Sequence, residues 1–148
     1  MKEHQSIGRL VSILYRHAKV YFHREMGSYG LGHGQLPLLM YIIMHEKVTQ
    51  HQINDHFYLD KGSTSSMIKS LEQNGFITRR KDPHDKRSSV LEVTEKTTRL
   101  IPEIKQVFRG WTDILLYGFS AKEQEKAFEL LNRMIENTIN YLDEREDV

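Results

Sequence analysis

The 148 residues carry 39% apolar side chains and a formal net charge of +1, which fits one domain able to close its own core. No apolar run approaches the roughly 20 residues a bilayer-spanning helix needs, and the polar start Met1-Lys2-Glu3-His4-Gln5 does not lead into a signal-peptide core, so a cytoplasmic, membrane-free protein is expected. The absence of cysteine excludes disulfides, thiol catalysis, thiolate zinc sites and thiol-oxidation switches.

Apolar Ile7, Leu10, Val11, Leu14, Ala18 and Phe22 recur at three- and four-residue steps and predict an amphipathic helix over about residues 5–26. Gly27, Gly30, Gly32 and Gly34 stop it. A second, mostly apolar helix starts near Gln35, with Pro37 tolerated in its first turn, and runs through Leu38, Leu39, Tyr41, Ile42 and Ile43. Thr49-Gln50-His51-Gln52 has the form of a capping box opening a short helix that buries Ile53 and Phe57. Asp60 can cap the next helix, about Lys61 to Gln73, which buries Met67, Ile68 and Leu71 and ends at Asn74-Gly75, a left-handed terminator. Phe76-Ile77-Thr78-Arg79 and Val90-Leu91-Glu92-Val93 read as two strands, joined by a basic tip with Pro83 at the second position of a type I turn. A long helix follows Thr94-Glu95-Lys96, with Pro102 near its start, and breaks around Gly118. Ser120-Ala121-Lys122-Glu123 then caps a last helix that carries Phe128, Leu131, Met134, Ile135, Ile139 and Leu142 on one side.

Charge is split along this order. Between Lys61 and Arg99 nine Lys and Arg stand against five acids, whereas from Ser120 to Val148 four basic residues stand against eight acidic ones. Positive charge concentrated in one segment is the pattern of a polyanion binder whose far end is turned away. Helix, turn, helix and charged hairpin in succession form the order in which a winged helix meets DNA. The helix from Lys61 offers Ser63, Thr64, Ser65, Ser66, Lys69 and Ser70; the hydroxyl residues contribute little to helix propensity but donate to phosphates and base edges. Ser63, Thr64, Ser65 and Lys69 are therefore expected to read the major groove, with Lys61 or Arg79 on phosphate. Arg87 suits a narrow minor groove, assisted by Lys86 and His84, with Asp85 or Asp82 orienting the guanidinium by a charge-assisted pair.

From Leu31 to Leu100 the sequence resembles the MarR (multiple antibiotic resistance regulator) family of winged-helix transcription factors. The matching residues are Leu31 and Gln35, Thr49-Gln50, Leu59-Asp60-Lys61-Gly62-Ser63-Thr64, Leu71-Glu72-Gln73-Asn74-Gly75-Phe76-Ile77, Asp82-Pro83-His84-Asp85-Lys86-Arg87, and Val93-Thr94-Glu95-Lys96. It departs at His84, where the family often has Arg, and at Thr97, where Gly is frequent after Thr-Glu-Lys. The resemblance implies a mainly α fold with a small β-hairpin wing, within a single domain of residues 1–148. The winged helix-turn-helix spans about residues 35–96, flanked by dimerisation helices over 5–26 and 97–145. It also implies a homodimer on a pseudo-palindromic double-stranded operator, acting as a repressor.

Many relatives release DNA when a small aromatic or anionic effector binds between the dimer helices and the winged lobe. Tyr15, Arg16, His17, Tyr41, Phe108 and Trp111 are the candidates to line such a pocket, although aromatic residues at helical spacing more often serve a core. No His-Glu-x-x-His motif is present, and His17/His23 and His51/His56 do not share a helical face well, so no metal or cofactor is assigned. A metal-responsive regulator collecting His4, His17 or His23 with an acid is one alternative; an architectural winged-helix module without regulatory function is the other. An enzyme is set aside, because the chain has no Gly-rich phosphate loop, nucleophile elbow or recognisable carboxylate pair.

Overall fold

In the computed structural model, residues 6–146 are described. They form two compact units that divide between Trp111 and Thr112, and six α-helices and three short strands.

In the first unit, α1 (Ile7–Met26) is capped by Ser6, and only its last turns are buried, through Phe22 and Met26. Gly30 adopts a left-handed φ of 77° after a single 3-10 turn at Gly27–Tyr29. α2 (Gln35–His45) buries Leu36, Leu38, Leu39 and Ile42. Pro37 lies among the first four residues of α2, whose N–H groups have no intrahelical partner, and so costs no hydrogen bond.

A strand absent from the sequence reading, β1 (Val48–Thr49), precedes α3 (Gln50–Phe57). Thr49 and Gln52 close the expected capping box. α4 (Lys61–Gln73) is capped by Asp60. At its end, Phe76 N–H donates to Leu71 O (2.9 Å) and Gly75 N–H to Glu72 O (3.0 Å). This is the paired closure of a Schellman motif, and the left-handed residue is Gly75 at φ 75°.

β2 (Ile77–Lys81) and β3 (Ser89–Val93) form the hairpin, and β1 joins its far edge, giving the antiparallel order β1-β3-β2 with Val48 opposite Leu91 and Arg79 opposite Leu91. Leu36, Leu39, Ile42, Ile53, Ile68, Leu71, Phe76, Ile77 and Leu91 meet in one apolar cluster beneath this sheet and the three small helices. α5 (Glu95–Leu115) adds Ile104 and Val107 to the core. Pro102 sits two turns inside α5, deeper than the sequence reading had it, and it removes the N–H that would pair with the carbonyl of Thr98, an exposed residue. Thr97, the departure from the frequent Gly, is fully buried and donates its hydroxyl to Phe76 O at 2.6 Å, a structural bond between α5 and the hairpin's root.

The second unit is the end of α5, a turn through Gly118 at φ 81°, and α6 (Ala121–Glu146). Ser120 and Glu123 close a second capping box, which holds the Glu123 carboxyl below its ordinary range through the backbone N–H and then the hydroxyl of Ser120.

Candidate nucleic-acid interface

α4 presents three flanks. Thr64, Ile68 and Leu71 face the core, whereas Gly62, Ser65, Ser66 and Lys69 are exposed at the steps of one helical stripe. Thr64 is therefore not a base reader, contrary to the sequence reading: it is fully buried, and its hydroxyl donates to Asp60 O at 3.1 Å, in the first turn of its own helix. Ser66 takes its place on the exposed stripe. Every hydroxyl in a Ser-rich run looks alike in sequence, and only the helical phase separates them.

The remaining serines are chemically distinct. Ser63 is committed to the N-cap: its N–H and hydroxyl both donate to the Asp60 carboxylate, at 2.8 and 2.7 Å. Those bonds, the hydroxyl's first, hold the Asp60 carboxyl below its usual range. Having given its proton, Ser63 Oγ offers the outside only lone pairs. Ser65 has the opposite polarity. Its Oγ accepts from Gln50 Nε2 of α3 at 2.7 Å, which leaves its O–H free to donate to a phosphate or a base acceptor.

In the wing, the acids bind backbone and not the arginine. Asp82 Oδ1 accepts the His84 N–H (2.8 Å) and Asp85 Oδ1 accepts the Arg87 N–H (2.9 Å), so two Asx turns shape the tip. The backbone turn itself is closed by Ser88 N–H to Asp85 O (3.0 Å), not over Asp82–Asp85. Asp85 thus orients Arg87 through its main chain, correcting the expected guanidinium pair. His84, Asp85, Lys86 and Arg87 are all exposed.

Cations divide into paired and unpaired. Arg79 lies 3.6 Å from Glu72 and Arg80 pairs with Glu92 across the hairpin. Lys61, Lys69, Lys81, Lys86 and Arg87 make no ion pair among the described residues and leave their charge to solvent. A cleft of about 580 Å³ runs between the start of α3 and the wing, lined by Lys47, Thr49, Gln52, Arg80, Lys81 and His84. The sequence reading missed Lys47 and Lys81 because a two-residue strand carries too little pattern to reveal β1, which brings Lys47 to the hairpin.

A family model described as MarR family matches residues 29–88. The chain is 32% identical to a MarR transcriptional regulator from Methanosarcina mazei Go1, with a TM-score of 0.87 over 91% of this chain and 97% of that one. The chain belongs to the MarR family. It is also similar to the HTH-type transcriptional regulator BilQ of Clostridioides difficile (strain CD3), at 27% identity over 130 residues and 88% of each chain. A MarR family regulator from Listeria monocytogenes, solved in complex with a 26mer DNA, matches at TM-score 0.86 and 26% identity over 92% of this chain and 91% of that one. As a MarR-family member, the chain is a DNA-binding helix-turn-helix transcriptional regulator and not an enzyme.

The six residues that the MarR resemblance suggested for an effector do not converge. Tyr15 Oη meets His33 Nε2 at 2.7 Å, Arg16 donates to Ser12 Oγ at 2.7 Å, and His17 is exposed. Tyr41 is sandwiched by His45 and His56, with ring centroids at 4.0 and 4.4 Å. Phe108 and Trp111 instead pack on Phe22, at 5.1 and 6.2 Å, with Trp111 also against Tyr21. The four Tyr, Phe and Trp rings among them pack in three different places, because one helical stripe fixes spacing along an axis but not which neighbour covers it. No cluster of three or more His, Asp or Glu able to hold a metal occurs among the described residues. His4 lies outside them. Nor is any of the described helices long and apolar enough to cross a membrane.

Proposed function

We propose that the protein is a cytoplasmic repressor that binds a pseudo-palindromic operator as a homodimer and is released by a small aromatic or anionic effector. The observation that carries the DNA-reading part is the exposed stripe Gly62-Ser65-Ser66-Lys69 of α4, on the same lobe as a wing whose Lys81, Lys86 and Arg87 keep unpaired charge. Short hydroxyls and one lysine on a helix thin enough at Gly62 to approach the groove floor suit major-groove edges. Lys61 and Lys81 suit phosphates, and Arg87 suits a minor groove of enhanced negative potential.

Two copies are called for by the uncovered first half of α1, where Ile7, Leu10, Val11 and Leu14 are 45–60% exposed. A self-complementary apolar face of this kind is what a two-fold interface covers, and two-fold protein symmetry is mirrored by a palindromic site. Effector release is the family's habit and rests on membership alone; with no cysteine in the chain, the trigger is not a thiol.

The deciding experiment is fluorescence anisotropy on DNA from upstream of the protein's own gene against a scrambled duplex, across a salt series. Saturable preference for the native fragment, with the salt slope of several phosphates, supports the reading. Equal affinity for both duplexes would favour an architectural module.

A further inference from the structure

The loop between α1 and α2 is tied to three other parts of its unit. Tyr29 Oη donates to Glu103 Oε1 of α5 at 2.7 Å, and His33 Nε2 meets Tyr15 Oη of α1 at 2.7 Å. The third tie runs to the recognition helix α4 through Gln35, the first residue of α2. Its side-chain oxygen accepts the Gly32 N–H at 2.9 Å, and its amide nitrogen donates to Ser70 Oγ at 2.7 Å. Gly32 N–H can only donate, so it fixes which end of the amide is oxygen and turns the nitrogen toward Ser70.

The backbone of the loop follows the same flank of α4. A Cβ on Gly34 would lie 3.5 Å from Met67 Sδ, and one on Gly30 would lie 3.7 Å from Asn74 Nδ2. Met67, Ser70 and Asn74 stand three and four residues apart, so they form a stripe of their own beside the exposed one. Around Met67 and Asn74 the loop passes α4 at no more than the distance of an ordinary Cβ contact, whereas the hydrogen bond at Ser70 is directional and fixes a position.

We propose that Gln35 is a positioning residue for base reading: through Gly32 and Ser70 it fixes the axial position and rotation of α4 against the loop held by α1 and α5. The role rests on α4 being the helix that reads DNA. A shift of the loop is delivered to the Ser65, Ser66 and Lys69 stripe by one amide. Loss of that amide blurs which base edges the stripe meets and leaves the phosphate contacts of the lobe in place.

The test uses the full-length protein and a duplex that the wild type enriches from a random-sequence pool, beside a scrambled duplex of equal composition. Gln35→Leu is expected to lower affinity for the enriched duplex about tenfold, the scale of coupling between contacting residues. Scrambled-duplex affinity, salt slope and Tm should stay near wild type. Gln35→Glu, which still accepts from Gly32 N–H and can accept the Ser70 hydroxyl proton, should recover most of the loss. Ser70→Ala should cost a similar factor and add little when combined with Gln35→Leu. An unchanged preference for the enriched duplex in Gln35→Leu would overturn the role, as would equal loss on both duplexes accompanied by a fall in Tm. A wild type that enriches no sequence would overturn the DNA-reading assignment of α4 and this role with it.

Discussion

Thr64 and Ser65 are neighbours with hydroxyls of opposite fate: one closes a buried bond to Asp60 O, and the other keeps its proton for a ligand. Ser65→Ala should therefore reduce operator affinity with little change in Tm, and Thr64→Val should do the reverse, as parallel anisotropy and melting curves would show. Arg87 is set by its own backbone N–H on Asp85, so its side chain is available. Arg87→Ala should weaken operator binding by about 1–3 kcal/mol while leaving dimerisation and melting nearly unchanged. Equal affinity of variant and wild type would sink the wing assignment. Gly110 shows a different constraint. Tyr21 Oη donates to Val107 O at 3.0 Å, and a Cβ on Gly110 would sit 2.6 Å from Tyr21 Oη. Gly110→Ala must push the phenol off its carbonyl, an overpacking cost of about 1–3 kcal/mol, read as a lower Tm. Nothing in the local sequence marks Gly110 as anything but a weak point in a helix, because its reason lies on α1.

The recognition helix was legible where local chemistry decides. Asp60 as N-cap and the Thr49–Gln52 and Ser120–Glu123 capping boxes come from side chains bonding backbone a few residues away, and the stop at Gly75 from the left-handed φ that a residue without a side chain adopts freely; such signals survive in a linear sequence. The Asp60 cap carries a pH signature. Its carboxyl is held below the ordinary range in the folded state, so its stabilisation is complete above the unfolded value and is lost as pH falls through the folded one. Asp60→Asn keeps a capping oxygen without the titration. In denaturant melts, the stability gap between wild type and Asp60→Asn should be constant near neutrality and should shrink in acid below the ordinary carboxylate range. A gap independent of pH would mean that the carboxylate's charge plays no part in the cap. The strand β1 was not legible, since two residues have no period; it forms because Val48 and Thr49 find the outer edge of β3. The wing's turn was misplaced for a related reason. Pro83 permits a type I turn, but the Asp82 side chain takes the His84 N–H and moves the backbone closure to Asp85–Ser88.

For the protein as a whole, the first half of α1 is the strongest sign that one copy is incomplete. Leu10 and Leu14 are 53% and 45% exposed on one face of a stable helix. Glutamates at both positions should yield a monomer by sedimentation, with unchanged far-UV circular dichroism and sharply reduced operator affinity; a dimer that survived them would place the interface elsewhere. Length, apolar periodicity, capping residues and charge order determined the helices, the hairpin, the mainly α class and the DNA-binding lobe, because each depends on residues a few positions apart. The tertiary structure alone decided which hydroxyls of α4 face outward, that Lys47 and Lys81 share a cleft, that Tyr15, Tyr41 and the Phe108–Trp111 pair pack in different places, and that Gln35 ties the loop to Ser70. Those are contacts between elements, and their energies depend on distance in space, which a periodic pattern along one chain does not encode.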